Sequence, residues 1–361
     1  MPDESQQNVV IHLSGQDDNL GDSVLRAGLF RALQGRNRAF HVYVRDHRGM
    51  DQSSDYMAGL NLGPNALLHE TRSSWLAEGS RTRKAVHVFN AGEINPQQRL
   101  YPASSRTREL EAVRSQGGAI IVAGVGLKNP DQVSNLRFSP EFQTADIMSW
   151  RDYGSRDAAG FGEVNPDWAF LLGAGTDSWN PTGNRPYLTV TLRFDRPYPD
   201  RDWLLGVRNI AERLGASLVT VAQVARDAPR AVRLANDLNA KYLGASSFNH
   251  SALQEHIRDV FSQSLAVISD RAHGLIIGAT EGAFPIGSGS DPQKIKRLME
   301  TVGLGDLVGS YTEINKFGKA LPAYLNILAP AVDSARDKLN RLAVRMQALM
   351  GSIEPPAHIK H

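Results

Sequence analysis

Short apolar or β-branched runs alternate with helix-patterned segments along nearly the whole chain, which restricts the fold to parallel βαβ units. The first half reads "VVIHL" (Val9 to Leu13), "AFHVYV" (Ala39 to Val44), "AVHVF" (Ala85 to Phe89) and "GAIIVAGVG" (Gly118 to Gly126). The period breaks in "LLGAGTDSWNPTGNRP", rich in glycine, proline and asparagine, which puts a domain boundary near residues 173–186. It resumes with "YLTVTLR", "SLVTVA", "LAVIS" and "FPIG", separated by helical patterns around Trp203 to Leu214 and Ala228 to Leu238. A last helix follows, with apolar positions at Leu339, Leu342, Val344, Met346, Leu349 and Met350. The expected architecture is an α/β fold of two Rossmann-like domains, residues 1–178 and 187–330, facing a cleft. Residues 331–361 form a helix that packs back across the junction.

In open α/β sheets, ligands bind beyond the carboxyl ends of the strands. One stretch there stands out: "VISDRAHGLIIGATEG" (Val267 to Gly282), a strand that runs straight into a helix. Asp270 reads as the N-cap, with Arg271 and His273 in the first turn. Each cation at a helix N-terminus costs about 0.3–1 kcal/mol, whereas an anion is welcome there. Two together make sense if an anionic ligand compensates them. The competing reading pairs Arg271 with Asp270 or Glu281 and simply packs His273.

Other segments reach the same edge. Arg193 ends "YLTVTLR", and Lys294 lies near a helix start in "GSGSDPQKIKRL" (Gly287 to Leu298); both suit an anion. From the first half, "SGQDDNLGDSVLRAGL" follows the first strand, and its Asn19 and Asp22 suit a polyhydroxylated ligand or the bracing of their own loop, with Asp22 reading equally well as a simple helix N-cap. Glu93, in "FNAGEIN", follows the third strand. Arg151-Asp152 in "SWRDYGSR" reads as a buried structural pair.

Composition removes several function classes. Lysine and arginine number 40 against 38 acidic residues, a formal net charge of +2, so nothing suggests a nucleic-acid binder. There is no cysteine, which excludes thiolate metal sites and cysteine nucleophiles. The G-x-x-x-x-G-K-[ST] and G-x-G-x-x-G spacings of nucleotide loops are absent. The polar start "MPDESQQN" lacks the features of a signal peptide, and the longest apolar run, Gly117 to Leu127, is far short of the roughly 20 residues of a membrane-spanning helix. The expected location is the cytoplasm, with peripheral contact at the inner membrane face left open.

Taken in order, "NLGDSVLRAGL", "SWRDYGSR", "NPDWAF", "LTVTLR", "VISDRAHGLIIGATEGAFPI" and "DPQKIKRLMETVGL" resemble the polysaccharide pyruvyl transferase family over about residues 9 to 308. The Arg-x-His segment carries most of the resemblance, with Ala272 where leucine is common. The resemblance implies a GT-B-like fold and phosphoenolpyruvate as donor. It implies a pyruvate ketal on two hydroxyls of a sugar, in a polysaccharide or its lipid-linked precursor, with no metal and no cofactor. On this reading Arg271 and His273 hold the donor and supply a proton, Lys294 and Arg193 complete the donor site, and Asn19, Asp22 and Glu93 face the acceptor. The alternatives are a GT-B-like glycosyltransferase using a nucleotide sugar and a non-catalytic anion-binding relative.

Overall fold

The computed structural model describes residues 7–45, 53–81, 84–96, 99–133, 135–318 and 325–353. Sixteen strands are found among them: β1 (Gln7–His12), β2 (Arg38–Tyr43), β3 (Ala66–His69), β4 (Val86–Val88), β5 (Gly92–Ile94), β6 (Leu100–Tyr101), β7 (Ala119–Leu127), β8 (Arg137–Phe138), β9 (Ile147–Trp150), β10 (Glu163–Val164), β11 (Tyr187–Thr191), β12 (Ser217–Thr220), β13 (Lys241–Tyr242), β14 (Ser264–Ser269), β15 (Phe284–Gly289) and β16 (Val308–Ser310). They build two large sheets, and β6 and β8 form a small ladder of their own. The first sheet runs β3-β2-β1-β4-β7-β9-β10, with β5 alongside β7, and the second runs β13-β12-β11-β14-β15-β16. Every pairing is parallel. Helices cover both faces of such sheets, so their strands read as unbroken apolar runs; β7 is buried at all nine positions.

Each large sheet starts in its middle, adds two strands on one side and then crosses to the other. That leaves a crevice between β1 and β4 in the first and between β11 and β14 in the second. These two switch points position everything that follows.

The halves share one apolar core, which runs from Val9 to Met350. Polar contacts also cross between them, such as Ser23 Oγ to His250 Nδ1 at 2.8 Å and Arg226 Nε to Asp18 Oδ2 at 2.5 Å. The C-terminal helix Leu328–Ser352 buries Leu328, Val332, Ala335, Leu339, Leu342, Met346 and Met350, a stripe of three- and four-residue steps. Val344, expected on that stripe, is 67% exposed: it lies two residues from both Leu342 and Met346, on the opposite side of the helix. The helix grips both halves. Lys338 Nζ donates to Thr301 O at 3.2 Å, and Gln347 Nε2 donates to Ala32 O at 2.6 Å. Residues 1–6 and 354–361 lie outside the described residues. No helix among the described residues is long and apolar enough to cross a membrane.

Candidate functional site

At the second switch point, β14 ends on Ser269, whose hydroxyl accepts the Arg271 N–H at 2.9 Å. The helix Ala272–Thr280 follows, with Arg271 itself at the N-cap and no side-chain cap bond. The expected cap, Asp270, turns to the neighbouring strand end instead, where its Oδ1 accepts the Arg193 N–H at 2.8 Å. Burial pushes the Asp270 carboxyl up to about 6, outweighing the Arg193 N–H and the adjacent arginine charges.

The two arginines expected at the donor are held by carboxylates of their own half. Arg271 Nε meets Asp227 Oδ2 at 2.6 Å with both side chains buried, and Asp227 Oδ1 also accepts the Phe194 N–H at 3.0 Å. Arg193 forks onto Asp195 at 2.8 and 2.7 Å. A buried guanidinium needs a counter-charge. The loop after β12 brings one that neither Asp270 nor Glu281 supplies, since Glu281 pairs with Arg258.

His273 and Lys294 face the other way, into the N-terminal half. His273 Nε2 lies 3.5 Å from Asp167 Oδ2, and Asp167 Oδ2 lies 3.6 Å from Arg151 Nη1. Arg151 Nη2 lies 3.6 Å from Glu93 Oε1, which Lys294 Nζ meets at 2.8 Å. Basic side chain and carboxylate therefore alternate across the cleft in the order His273, Asp167, Arg151, Glu93, Lys294. The four expected donor cations form two neighbouring groups: His273 and Lys294 in this row, Arg193 and Arg271 behind the helix start.

Charge in the row tunes its members. Burial alone would raise Asp167, but His273 and Arg151 outweigh it and hold the carboxyl at about 2. Glu93 is likewise opposed by burial and pulled below its ordinary value by Lys294 and Arg151. Desolvation lowers the Lys294 ammonium, and Glu93 restores only part of the shift. Three buried atoms of the row, His273 Nε2, Asp167 Oδ2 and Arg151 Nε, have no hydrogen-bond partner among the described residues. The 3.5 Å from His273 Nε2 and the 3.6 Å from Arg151 Nη1 to Asp167 Oδ2 are ion-pair distances, too long for a good hydrogen bond.

The N-terminal loop completes the wall. Asn19 caps the helix Leu20–Leu33 by accepting the Gly21 N–H at 3.2 Å, so the capping role falls to Asn19 and not to Asp22. Asp22 braces the loop through the Gln16 N–H at 2.7 Å and faces Arg26 at 3.6 Å. Burial opposes its ionisation, but Arg26, the Gln16 N–H, His273 and Lys294 together hold its carboxyl below the ordinary value. Gly21 is what lets this helix start touch His273: a Cβ there would lie 2.2 Å from the imidazole Nδ1.

Two members of the row were not singled out as site residues from sequence. Arg151 does not pair with Asp152; Asp152 caps the next helix through the Ser155 N–H at 2.8 Å and faces Arg297 at 3.4 Å. Asp167 stands in "NPDWAF" between Pro166 and Trp168, and a charged residue inside an apolar run was the available signal.

Two doubly wound domains with a charged row across their cleft define a GT-B-like protein. Solved structures share that fold at low identity. The UDP-GlcNAc 2-epimerase of Neisseria meningitidis bound to UDP-GlcNAc matches with a TM-score of 0.54 at 10% identity, over 95% of this chain and 100% of that one. The S. aureus MnaA–UDP structure matches with a TM-score of 0.52 at 10% identity, over 94% and 95%. No curated protein matches the chain. Residues 19–283 match the family model of polysaccharide pyruvyl transferase. The chain therefore belongs to the polysaccharide pyruvyl transferase family, and is a transferase of polysaccharide pyruvylation.

Proposed function

We propose that the protein transfers the enolpyruvyl-derived group of phosphoenolpyruvate to two hydroxyls of one sugar, forming a pyruvate ketal and releasing phosphate. The acceptor is a sugar of a polysaccharide or of its lipid-linked precursor, and the reaction takes place in the cytoplasm, at the inner membrane face if the acceptor is lipid-linked. The observation that carries this reading is the row across the cleft. It contains three cationic or protonatable side chains, and three of its buried polar atoms lack hydrogen bonds, which buried polar groups seldom do.

On this reading Arg151 and Lys294 take the carboxylate and phosphate of the donor, and His273 is the proton source. Proton transfer to the methylene carbon turns it into a methyl group and leaves a cationic C2. A sugar hydroxyl adds to C2 and loses its proton, and the bond to the phosphate oxygen breaks, with the electron pair leaving on phosphate. A second hydroxyl then closes the ketal and loses the second proton. Asp167 keeps its negative charge 3.5 Å from the imidazole Nε2.

Lys294 is engaged by Glu93, but both side chains are partly exposed, 45% and 29%. Such pairs are worth about 0–1 kcal/mol. A donor with nearly three negative charges displaces Glu93 easily, and Glu93 then faces the acceptor together with Asp22. Arg271 and Arg193, each with its own carboxylate, fix the helix start that carries His273.

The test is phosphate release from phosphoenolpyruvate against a panel of glycan acceptors, with a nucleotide sugar as rival donor. His273→Asn should lower turnover by roughly 10²–10⁴-fold, the usual worth of a general acid, and leave donor binding largely intact. Turnover with the nucleotide sugar alone, or an undiminished asparagine variant, overturns the assignment.

A further inference from the structure

The first sheet has a switch point of its own, between β1 and β4, and the row just described does not occupy it. His12 ends β1, Tyr43 ends β2 and Phe89 follows β4. Above them lies a cavity of about 400 Å³, within the range of small-molecule sites. Among the described residues its lining combines aromatic rings with three arginines, Arg45, Arg72 and Arg106, and includes no carboxylate.

The charge is built in. Arg106 is nine-tenths buried, its guanidinium 4.7 Å from the centre of the Trp75 ring and 5.2 Å from that of Phe89, and it is hydrogen-bonded to His87. Glu109 is shared, at 3.3 Å each, between Arg106 and the half-exposed Arg72. Among the described residues, one carboxylate between these two guanidinium groups leaves positive charge in excess. His12 registers it: burial and the charges of Arg106, Arg26 and Arg72 push the imidazole down to about 3, so it stays neutral. Desolvation also lowers Arg106 to about 10, and a bound anion would relieve that cost.

Four aromatic side chains, Tyr43, Trp75, Phe89 and Tyr101, also line the cavity. Tyr43 stacks on Trp75 with ring centres 5.4 Å apart. Such walls suit the C–H faces of a sugar ring, while hydroxyls find Asn90 and His12. The cavity is also linked to the N-terminal loop that walls the row. Asn90 lines it, Arg26 Nε donates to Asn90 Oδ1 at 2.9 Å, and Arg26 in turn faces Asp22.

We propose that the crevice between β1 and β4 binds a sugar bearing an anionic group, a phosphate or a carboxylate, with the ring against Tyr43 and Tyr101 and the anion at Arg72 and Arg106. That this sugar is part of the acceptor rests on the pyruvyl-transfer reading; that it binds does not.

The experiment is calorimetric titration of the full chain with glucose 1-phosphate, glucuronate, glucose and inorganic phosphate, without phosphoenolpyruvate. At least one of the two anionic sugars should bind about tenfold or more tighter than glucose and than phosphate, the worth of one charge-assisted hydrogen bond. Which of the two binds identifies the anion. Arg72→Gln, at a half-exposed position where folding is not at risk, should lose most of that margin, and Tyr101→Ala should weaken the sugar but not free phosphate. Equal binding of glucose, equal binding of bare phosphate, or an unaltered Arg72→Gln variant overturns the proposal. Because His273→Asn should leave these affinities untouched, a chain that binds the anionic sugar and never releases phosphate refutes the reaction alone.

Discussion

Replacing Asp167 by asparagine removes one charge from between His273 and Arg151 and changes little else. Asp167 Oδ1 accepts the Ala169 N–H at 3.0 Å, a bond that an amide oxygen keeps. Burial by itself would raise this carboxyl, yet His273, Arg151 and the Ala169 N–H bring it from 3.8 to about 2. At about 1.4 kcal/mol per decade of proton affinity, that fall makes about 2.5 kcal/mol of stability. No screening discount applies, because the side chain is wholly buried. A carboxyl depressed in the folded state stabilises it fully above the unfolded value near 4, and that stabilisation is lost as pH falls toward about 2. Urea unfolding should therefore find the asparagine variant about 2.5 kcal/mol less stable than the parent near neutral pH, with the deficit shrinking from about pH 4 downward. A deficit that is absent at neutral pH, or that stays constant through the acid range, refutes the argument that the two cations stabilise the charged carboxylate.

Three further outcomes follow from the geometry. Glu93→Gln frees Lys294, so donor affinity measured by titration should rise by up to about fivefold while the acceptor KM increases; a weakened donor would put Glu93 on the donor side. Gly21→Ala places a methyl group against the His273 ring, and overpacking of this kind costs about 1–3 kcal/mol, so turnover should fall much more than donor binding and the melting temperature should drop. Arg271→Gln leaves Asp227 buried without its partner, a loss of about 3–5 kcal/mol in chemical denaturation; a small loss would mean that this pair is not structural.

What could be read from the sequence was what local chemistry decides. β7 and β14 announce themselves as apolar runs because helices cover both faces of their sheets, and the break at residues 173–186 falls between β10 and β11 because its glycines and prolines cannot continue either element. His273 at a helix start was legible for the same reason. Its partner was not: Asp167 lies in the other half of the chain, and nothing near it marks which cation it will meet. Arg271 and His273, two residues apart, leave the helix start in different directions, and only the packed loop bearing Asp227 separates their roles. The Asn19 cap was missed because two polar residues competed for one helix end, and backbone geometry chose between them.

The helix Leu328–Ser352 rises about 37 Å at 1.5 Å per residue and is tied to one half near Lys338 and to the other at Gln347. Such a strap makes the two sheets one thermodynamic unit. Neither can loosen without straining the shared apolar stripe, so a molecule that settles on the second sheet also stiffens the first. Amide exchange in β1 and β2 then becomes a remote gauge of occupancy at the helix start beside His273. The strap also limits how the cleft can move, favouring a hinge about its own length over two lobes swinging freely on a linker.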